Sequence, residues 1–244
     1  MESLAIIWIV LAVVILGVSK TGFGGVGTAV ALPVMSLGLP PATALGVLLP
    51  LLLTTDVLSV AAHRKEMDVH AILFALPGAI LGVLLGAALL DWMSPAFIAG
   101  SIGVLAILFA VMALTGRNPD VSHWPRWVGS VFGGLSGLTS TLAHAGGPPI
   151  HIYFLSKGYT PQIFVATSAG FMAGVNILKI GPFLTIGALD KSALMWAVVL
   201  APVAIASAFG GVYLARVLSK KTFGIAVNTL LIFAGLKLLF DAFF

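Results

Sequence analysis

Two glycine-rich interruptions of otherwise apolar sequence carry the side chains best suited to bind a small anion. The candidate residues of the first interruption, which covers positions 19–27, are Ser19, Lys20, Thr21, Gly24 and Gly25. Lysine and hydroxyl groups donate hydrogen bonds to anions, and glycine lets a ligand approach the backbone closely. Lys20 could form a salt bridge with such an anion, or its long side chain could reach the edge of the apolar region as an anchor.

The second interruption, at positions 136–149, has a similar composition. Its candidate residues are Ser136, Thr139, Ser140, His144, Gly146 and Gly147. Pro148 and Pro149 fit the first turn of a helix, where their missing N–H is not needed, and the remaining N–H groups of that turn would face the ligand. His144 could bind an anion when protonated, relay a proton or donate to a carbonyl oxygen. His151 follows two turns later, but with no cysteine and no nearby carboxylate we predict no metal site.

Asp56 lies near the middle of an apolar stretch, positions 42–62. Ionisable groups inside membrane segments are costly and mark functional sites by default. Asp56 could carry a coupling proton, bind a cation or pair with Lys20, and a purely structural ion pair is the alternative. Asn176, 120 positions later, is polar but cannot titrate, and we include it among the substrate-binding candidates.

The composition is that of a polytopic membrane protein. Of 244 residues, 60% are hydrophobic and 8% are charged, with a mean hydropathy of +1.16, whereas soluble domains carry about 25% charge. The net charge of +4 comes from loops without a basic, aromatic-rich cluster, so it indicates membrane orientation and no nucleic-acid partner. The absence of cysteine excludes disulfides and thiolate sites. No Walker-type loop indicates direct use of ATP, and we predict no cofactor.

The apolar segments predict an all-α protein with broken or re-entrant helices at its centre. A spanning helix needs about 20 residues, and the segment at 148–155 is too short, so it is interpreted as a half-helix or re-entrant limb. Its predicted counterpart is 23–39. The other segments are 4–18, 42–62, 69–90, 95–114, 127–142, 161–180, 192–215 and 223–240.

Helix-breaking residues recur between the two halves and predict an internal repeat of about five segments. Pro41 and Pro161 are 120 positions apart, as are Asp56 and Asn176. Pro77 and Pro202 are 125 positions apart, as are Gly86 and Gly211. The predicted organisation is a first transmembrane repeat at 1–116, a polar connection at 117–126 and a second repeat at 127–244. An odd number of segments per half makes the second repeat inverted relative to the first.

The basic residues divide unequally between the two faces of this arrangement. Nine fall on one face: Lys20, Arg64, Lys65, Arg117, Arg126, Lys157, Arg216, Lys220 and Lys221. Three fall on the other: Lys179, Lys191 and Lys237. Because basic loops stay in the cytoplasm, we predict that both termini lie outside and that the first helix is retained.

Both interruptions together resemble the sulfite exporter TauE/SafE family, also called the 4-toluene sulfonate uptake permease family. The resemblance lies in Gly22-Phe23-Gly24-Gly25-Val26-Gly27 with Leu32-Pro33, in Gly133-Gly134-Leu135-Ser136-Gly137 with Gly146-Gly147-Pro148-Pro149, and in Asn176 and the helix of Asp56. It extends over nearly the whole chain. It implies a multi-pass protein of the bacterial inner (plasma) membrane that moves sulfite, sulfonates or related organic anions.

These observations predict a secondary transporter of small anions, with protons as the coupling ion and membrane lipid as its surroundings. An anion channel, an intramembrane enzyme and a purely structural membrane subunit are the alternatives. No nucleophile elbow or zinc-helix motif places catalytic groups at a useful spacing, and we therefore predict that the protein is not an enzyme.

Overall fold

The computed structural model describes residues 2–23, 25, 27–116, 125 and 127–243, and in this part of the chain the fold is all-helical. Seven of its helices are long and apolar enough to cross a membrane, and α2, α6 and α7 are shorter. The helices are α1 (Glu2–Gly22), α2 (Thr28–Met35), α3 (Pro41–His63), α4 (Val69–Trp92), α5 (Pro95–Thr115), α6 (Val128–Ala143), α7 (Gly147–Leu155), α8 (Pro161–Thr185), α9 (Lys191–Val217) and α10 (Lys220–Phe243). The predicted all-α membrane class is confirmed.

Several helices begin where the sequence offers a proline or a capping side chain. Pro41 and Pro161 occupy the first turns of α3 and α8, where a missing N–H costs no hydrogen bond. Asp68 and Asp190 cap α4 and α9, because their carboxylates accept from backbone N–H groups three residues on, at 3.0 and 2.7 Å. Each cap satisfies a donor that the helix start would otherwise leave unpaired.

Both breaks are shorter than the sequence predicts. Helix α1 continues to Gly22, so Ser19, Lys20 and Thr21 lie in its last turn, and α2 covers only eight residues of the predicted 23–39 segment. In the second half, α6 continues to Ala143, which confines the break to residues 144–146.

Local hydrogen bonding explains why hydroxyl-rich sequence stays helical at both breaks. The hydroxyl of Thr21 shares its hydrogen between Gly17 O at 3.1 Å and Ala208 O, and that of Thr141 donates to Gly137 O at 2.8 Å. Serine and threonine that bond back to the preceding turn are tolerated inside helices. A cluster of hydroxyl residues is therefore a weaker helix-break signal than the glycines that follow it.

Two helical hairpins result, each with antiparallel limbs. The first is formed by α1 and α2. A Cβ added at Gly38, just after α2, would lie 2.4 Å from Ala5 O, so the chain that leaves α2 touches the start of α1. In the second, formed by α6 and α7, a Cβ at Gly129 would lie 2.7 Å from the Tyr153 ring. Each hairpin therefore returns the chain to the side of the bundle from which it entered.

The two hairpins enter from opposite faces. Tyr159, which follows α7, donates to Asp68 Oδ2 at 2.5 Å, so the second hairpin opens on the face where α3 ends and α4 begins. We call this the Asp68 face. The first hairpin opens on the other face, where α3 begins and where a Cβ at Gly46 would meet Ala188 O at 1.8 Å. We call this the Asp190 face, after the residue that caps α9.

Helix contacts occur in corresponding sets in the two halves. Helix α4 packs on α6 and on α8, while α9 packs on α1 and on α3. Helix α3 also packs on α8, and α5 packs on α10. Glycines permit the close approaches, since a Cβ at Gly78 would lie 1.7 Å from Ser130 O, and a Cβ at Gly22 would lie 2.3 Å from Gly211 O. Small residues at helix contacts are usual in membranes, where backbones pack closely.

Candidate functional site

Lys20, Asp56 and Asn176 form a hydrogen-bonded row where α1, α3 and α8 meet. Their exposed fractions are 7%, 3% and 0%. Lys20 Nζ donates to Asp56 Oδ1 and, at 3.3 Å, to Leu52 O, while Asn176 Nδ2 donates to Asp56 Oδ2 at 2.6 Å. Of the roles open to these side chains, Lys20 therefore pairs with Asp56 and is not a surface anchor.

The pair is compatible with its burial because both carboxylate oxygens and two ammonium hydrogens have partners. A buried ion pair recovers its desolvation cost only when its remaining hydrogen-bonding groups are satisfied. Here Asn176 and Leu52 O supply the additional bonds. Removing one member would leave a buried charge without its counter-charge.

A second polar cluster surrounds Lys179, one helical turn beyond Asn176 on α8. Lys179 is 0% exposed, so its predicted place among the charges of the outer face is wrong. Its Nζ contacts Ser140 Oγ at 3.0 Å, Ser140 O at 3.3 Å and His144 Nδ1 at 2.8 Å. Helical spacing of three residues puts Asn176 and Lys179 on the same face, so α8 contributes to both clusters.

The contacts of His144 determine its tautomer. Its Nε2 lies 2.9 Å from Leu45 O, and a carbonyl oxygen can only accept a hydrogen bond. Nε2 therefore carries the hydrogen, and in a neutral ring Nδ1 accepts from Lys179. His144 ends α6 with φ of 50°, a left-handed conformation that turns the chain into the break. This arrangement fits a neutral histidine that donates to a carbonyl, one of its three predicted roles.

A small cavity of ≈ 30 Å³ adjoins both clusters. Five predicted site residues border it: Lys20, Gly25, His144, Gly147 and Asn176. Six do not: Ser19, Thr21, Ser136, Thr139, Ser140 and Gly146. Asp56 reaches the cavity only through its partners Lys20 and Asn176. Gly24 lies outside the described residues, as does most of the predicted connection at 117–126.

The predicted residues away from the cavity hold helices together. Thr21 Oγ1 donates to Ala208 O of α9 at 2.5 Å, and Ser136 Oγ donates to Gly146 O at 2.5 Å, which ties α6 to the start of α7. Thr139 Oγ1 donates to Ala145 O at 3.0 Å across the same break. Ser19 packs closely against Gly27, since a Cβ added at Gly27 would lie 2.3 Å from Ser19 Oγ.

Fewer backbone N–H groups are free at the breaks than the sequence suggests. Gly25 has φ of 79°, a left-handed conformation that favours glycine, and its N–H donates to Ser19 O at 2.8 Å. In the first turn of α7, Pro148 and Pro149 have no N–H to offer. Neither Gly25 nor these two prolines therefore offers a free backbone donor to the cavity.

Several residues that border the cavity or support it are not among the predicted site residues. Those at the cavity are Thr28, Leu52, Ser59, His151 and Ser168, and Lys179 lies behind His144. Ser59 and Lys179 differ by the repeat offset of 120, as do Lys20 and Ser140. Each half thus has one lysine and one serine at these two positions, but in opposite order: Lys20 and Ser59 in the first half, Ser140 and Lys179 in the second. The repeat offset could therefore have indicated Ser59 and Lys179. Among the described residues, no three His, Cys, Asp or Glu side chains group as a metal site.

A second cavity lies toward the Asp190 face, where Leu45, Asp91, Ile186 and Asp190 are among its lining residues. The first cavity extends along α8 toward the Asp68 face through Ser168 and Val165. Leu45 borders the second cavity and its carbonyl bonds to His144, which borders the first. The Leu45–His144 contact thus stands between cavities directed to opposite faces.

At the Asp68 face, Asp68 and Tyr159 join the two halves. Partial burial raises the pKa of Asp68, but hydrogen bonds from Tyr159 and from the N–H groups of Ala71 and His70 outweigh it and hold the pKa below its ordinary value. Burial and the bond to Asp68 raise the pKa of Tyr159. Asp68 N also donates to Thr167 Oγ1 at 2.9 Å. The ionised carboxylate therefore stabilises this connection at neutral pH.

The described helices, the two hairpins and the buried polar centre between them define a multi-pass helical membrane protein. The family model described as "Sulfite exporter TauE/SafE" matches residues 9–238. The chain belongs to the TauE/SafE family, which is a transporter family, and the resemblance stated from the sequence is confirmed. No curated protein and no solved structure matches the chain.

Proposed function

We propose that the chain is a secondary transporter that carries a small sulfur-containing or carboxylic anion across the bacterial inner membrane, with protons as the coupling ion. The observation that carries this proposal is the cavity bordered by Lys20, His144 and Asn176, next to residues of both helix breaks. Membership of the TauE/SafE family supports sulfite and sulfonates as the substrate class.

The corresponding helix contacts support an inverted repeat as the basis of transport. A two-fold axis in the membrane plane would exchange α1 with α6 and α4 with α9, and it would make the contacts of α4 with α6 and of α9 with α1 equivalent. Both contacts occur, and Asp56 meets its mate Asn176 where α3 packs on α8. Inverted-repeat carriers bind substrate near the bilayer centre, between broken helices. The cavities on either side of the Leu45–His144 contact fit access from one face at a time.

Counterflow in proteoliposomes tests the proposal. Vesicles loaded with unlabelled sulfite or with an organic sulfonate should accumulate the same labelled anion from outside, because a carrier exchanges substrates through one site. A channel would only equilibrate the label, and an enzyme would convert it to a product. Two controls are needed. One is empty vesicles, and the other is vesicles loaded with a salt whose large anion cannot cross the membrane.

Asp56 is our candidate for the coupling residue. Asp56→Asn removes the titratable group but retains an oxygen that can accept from Asn176. We expect this variant to keep a substrate-induced thermal shift while pH-driven uptake weakens. If pH-driven uptake survives unchanged, Asp56 is a structural group and coupling occurs elsewhere.

A further inference from the structure

Asn176 has a buried oxygen with no hydrogen-bond partner in the described part of the chain. Asp56 fixes the orientation of its amide, because an ionised carboxylate can only accept, so Asn176 must turn Nδ2 toward it. Oδ1 is then left as a buried acceptor, and no described donor reaches it. Buried acceptors are nearly always paired, and one at a cavity indicates a donor supplied from outside the protein.

Lys20 presents the complementary group beside this oxygen. Its ammonium has three hydrogens, of which Asp56 Oδ1 and Leu52 O accept two. Lys20 and Asn176 bind the two oxygens of the same carboxylate, and both border the cavity. A cation with a free hydrogen next to an acceptor matches a ligand that carries an anionic oxygen next to an O–H or N–H group.

Burial favours a ligand with a single charge. Lys20 and Asp56 are both buried and form an ion pair, so their charges balance each other. A ligand with one negative charge therefore loses less hydration on entering this low-dielectric centre than a dianion would.

We infer that the site takes a monoanion that also donates a hydrogen bond, with its charged oxygen on Lys20 and its donor on Asn176 Oδ1. Hydrogensulfite, sulfamate and hydroxy-substituted sulfonates have this chemistry, and sulfite dianion and alkylsulfonates lack it. This inference rests on the proposed function, and it adds that Asn176 selects among the anions.

A matched pair of ligands tests the inference. Sulfamate and methanesulfonate have similar size and carry one negative charge at neutral pH, but only sulfamate has N–H donors. We would measure both dissociation constants for purified full-length protein by calorimetry or thermal shift. Sulfamate is expected to bind about two- to tenfold more tightly, the range for one hydrogen bond.

Two variants separate selection from general binding. Asn176→Leu removes the acceptor and should reduce the affinity ratio of sulfamate to methanesulfonate to about one. Asn228→Leu is the matched control, because Asn228 of α10 donates to Gly224 O at 2.8 Å and does not border the cavity. This variant should keep the wild-type ratio.

The outcomes distinguish the inference from the proposed function. Equal binding of both ligands by the wild-type protein, or preference for methanesulfonate, overturns the inference and leaves anion transport standing. Failure to bind either ligand, or sulfite, overturns the proposed site itself. The wild-type ratio decides the matter even if Asn176→Leu does not fold.

Discussion

At the scale of single residues, the buried pair of Lys20 and Asp56 is the most consequential contact. Lys20→Met should destabilise the protein by about 3–5 kcal/mol, because the carboxylate would remain buried without its counter-charge. The double variant Lys20→Met/Asp56→Asn should recover most of that loss, since it removes both charges and retains an acceptor for Asn176. Unfolding of the purified variants in detergent measures both effects.

A simple outcome would contradict this account of the pair. If the double variant loses as much stability as the two single variants combined, the two groups are not coupled. Lys237→Met provides a control, because Lys237 forms an exposed ion pair with Asp241 on α10, and exposed pairs contribute only about 0–1 kcal/mol.

Ser140 is expected to support stability more than binding. The sequence places it among the anion donors, but it does not border the cavity, and its oxygens accept from Lys179 at 3.0 and 3.3 Å. Ser140→Ala removes one acceptor from a buried ammonium, which should cost about 1.5–3 kcal/mol of stability. Anion affinity of the folded variant should change by less than about twofold, or ~0.4 kcal/mol. A larger loss of affinity would return Ser140 to the binding site.

At the scale of helices and loops, the Asp68–Tyr159 contact connects the loop before α4 with the loop before α8. Hydrogen bonds lower the pKa of Asp68, so its stabilising effect is present above the unfolded-state pKa and is lost as pH falls through the folded-state value. Tyr159→Phe should therefore lower the melting temperature at neutral pH and have little effect at acidic pH, below that value.

The pH series of Tyr159→Phe against wild type checks this contact. The difference in melting temperature should shrink steadily on acidification. A difference that is constant across pH would mean that Tyr159 contributes through packing and not through the ionised carboxylate. Tyr213→Phe is a suitable control, because Tyr213 is an exposed residue of α9 at 69% exposure.

The sequence predicts the helices well, because helix starts and membrane segments have local signals. Pro41 and Pro161 mark the starts of α3 and α8, and the short segment after Gly147 is α7. The exact breaks are harder to predict, since hydroxyl residues such as Thr21 and Thr141 can bond within a helix. Whether a polar side chain faces a cavity or a neighbouring helix depends on contacts far along the chain.

The same limit explains which site residues could be predicted. The repeat offset relates Asp56 to Asn176, and these residues do touch. Nothing local distinguishes Lys179, buried between α6 and α8, from a lysine near a segment end. Its burial depends on the contact of α8 with α6, which lies far away in the sequence. The offset of 120 between Ser59 and Lys179 is the one sequence signal that could have indicated Lys179.

At the scale of the whole molecule, orientation follows from the basic loops. Lys20 and Lys179 are buried, so neither counts as a basic residue of a loop. The remaining basic residues number eight on one face and two on the other. The asymmetry still predicts a cytoplasmic Asp68 face and outside termini. Reporters fused after residue 244 and inserted within 65–68 should lie outside and inside, respectively. A cytoplasmic C-terminus would contradict the inverted arrangement.

The central claim is that a small anion binds in the cavity next to the two helix breaks, and one substitution tests it most directly. A side chain at Gly147 would meet the His151 ring, with Cβ 3.3 Å from Cε1, at the edge of the cavity, whereas Gly181 of α8 has nothing within 4 Å. We would measure the sulfite dissociation constant of folded, purified Gly147→Val and Gly181→Val. We expect Gly147→Val to lose binding, whereas Gly181→Val should bind as the wild-type protein does. Near-native affinity in Gly147→Val would place the anion elsewhere.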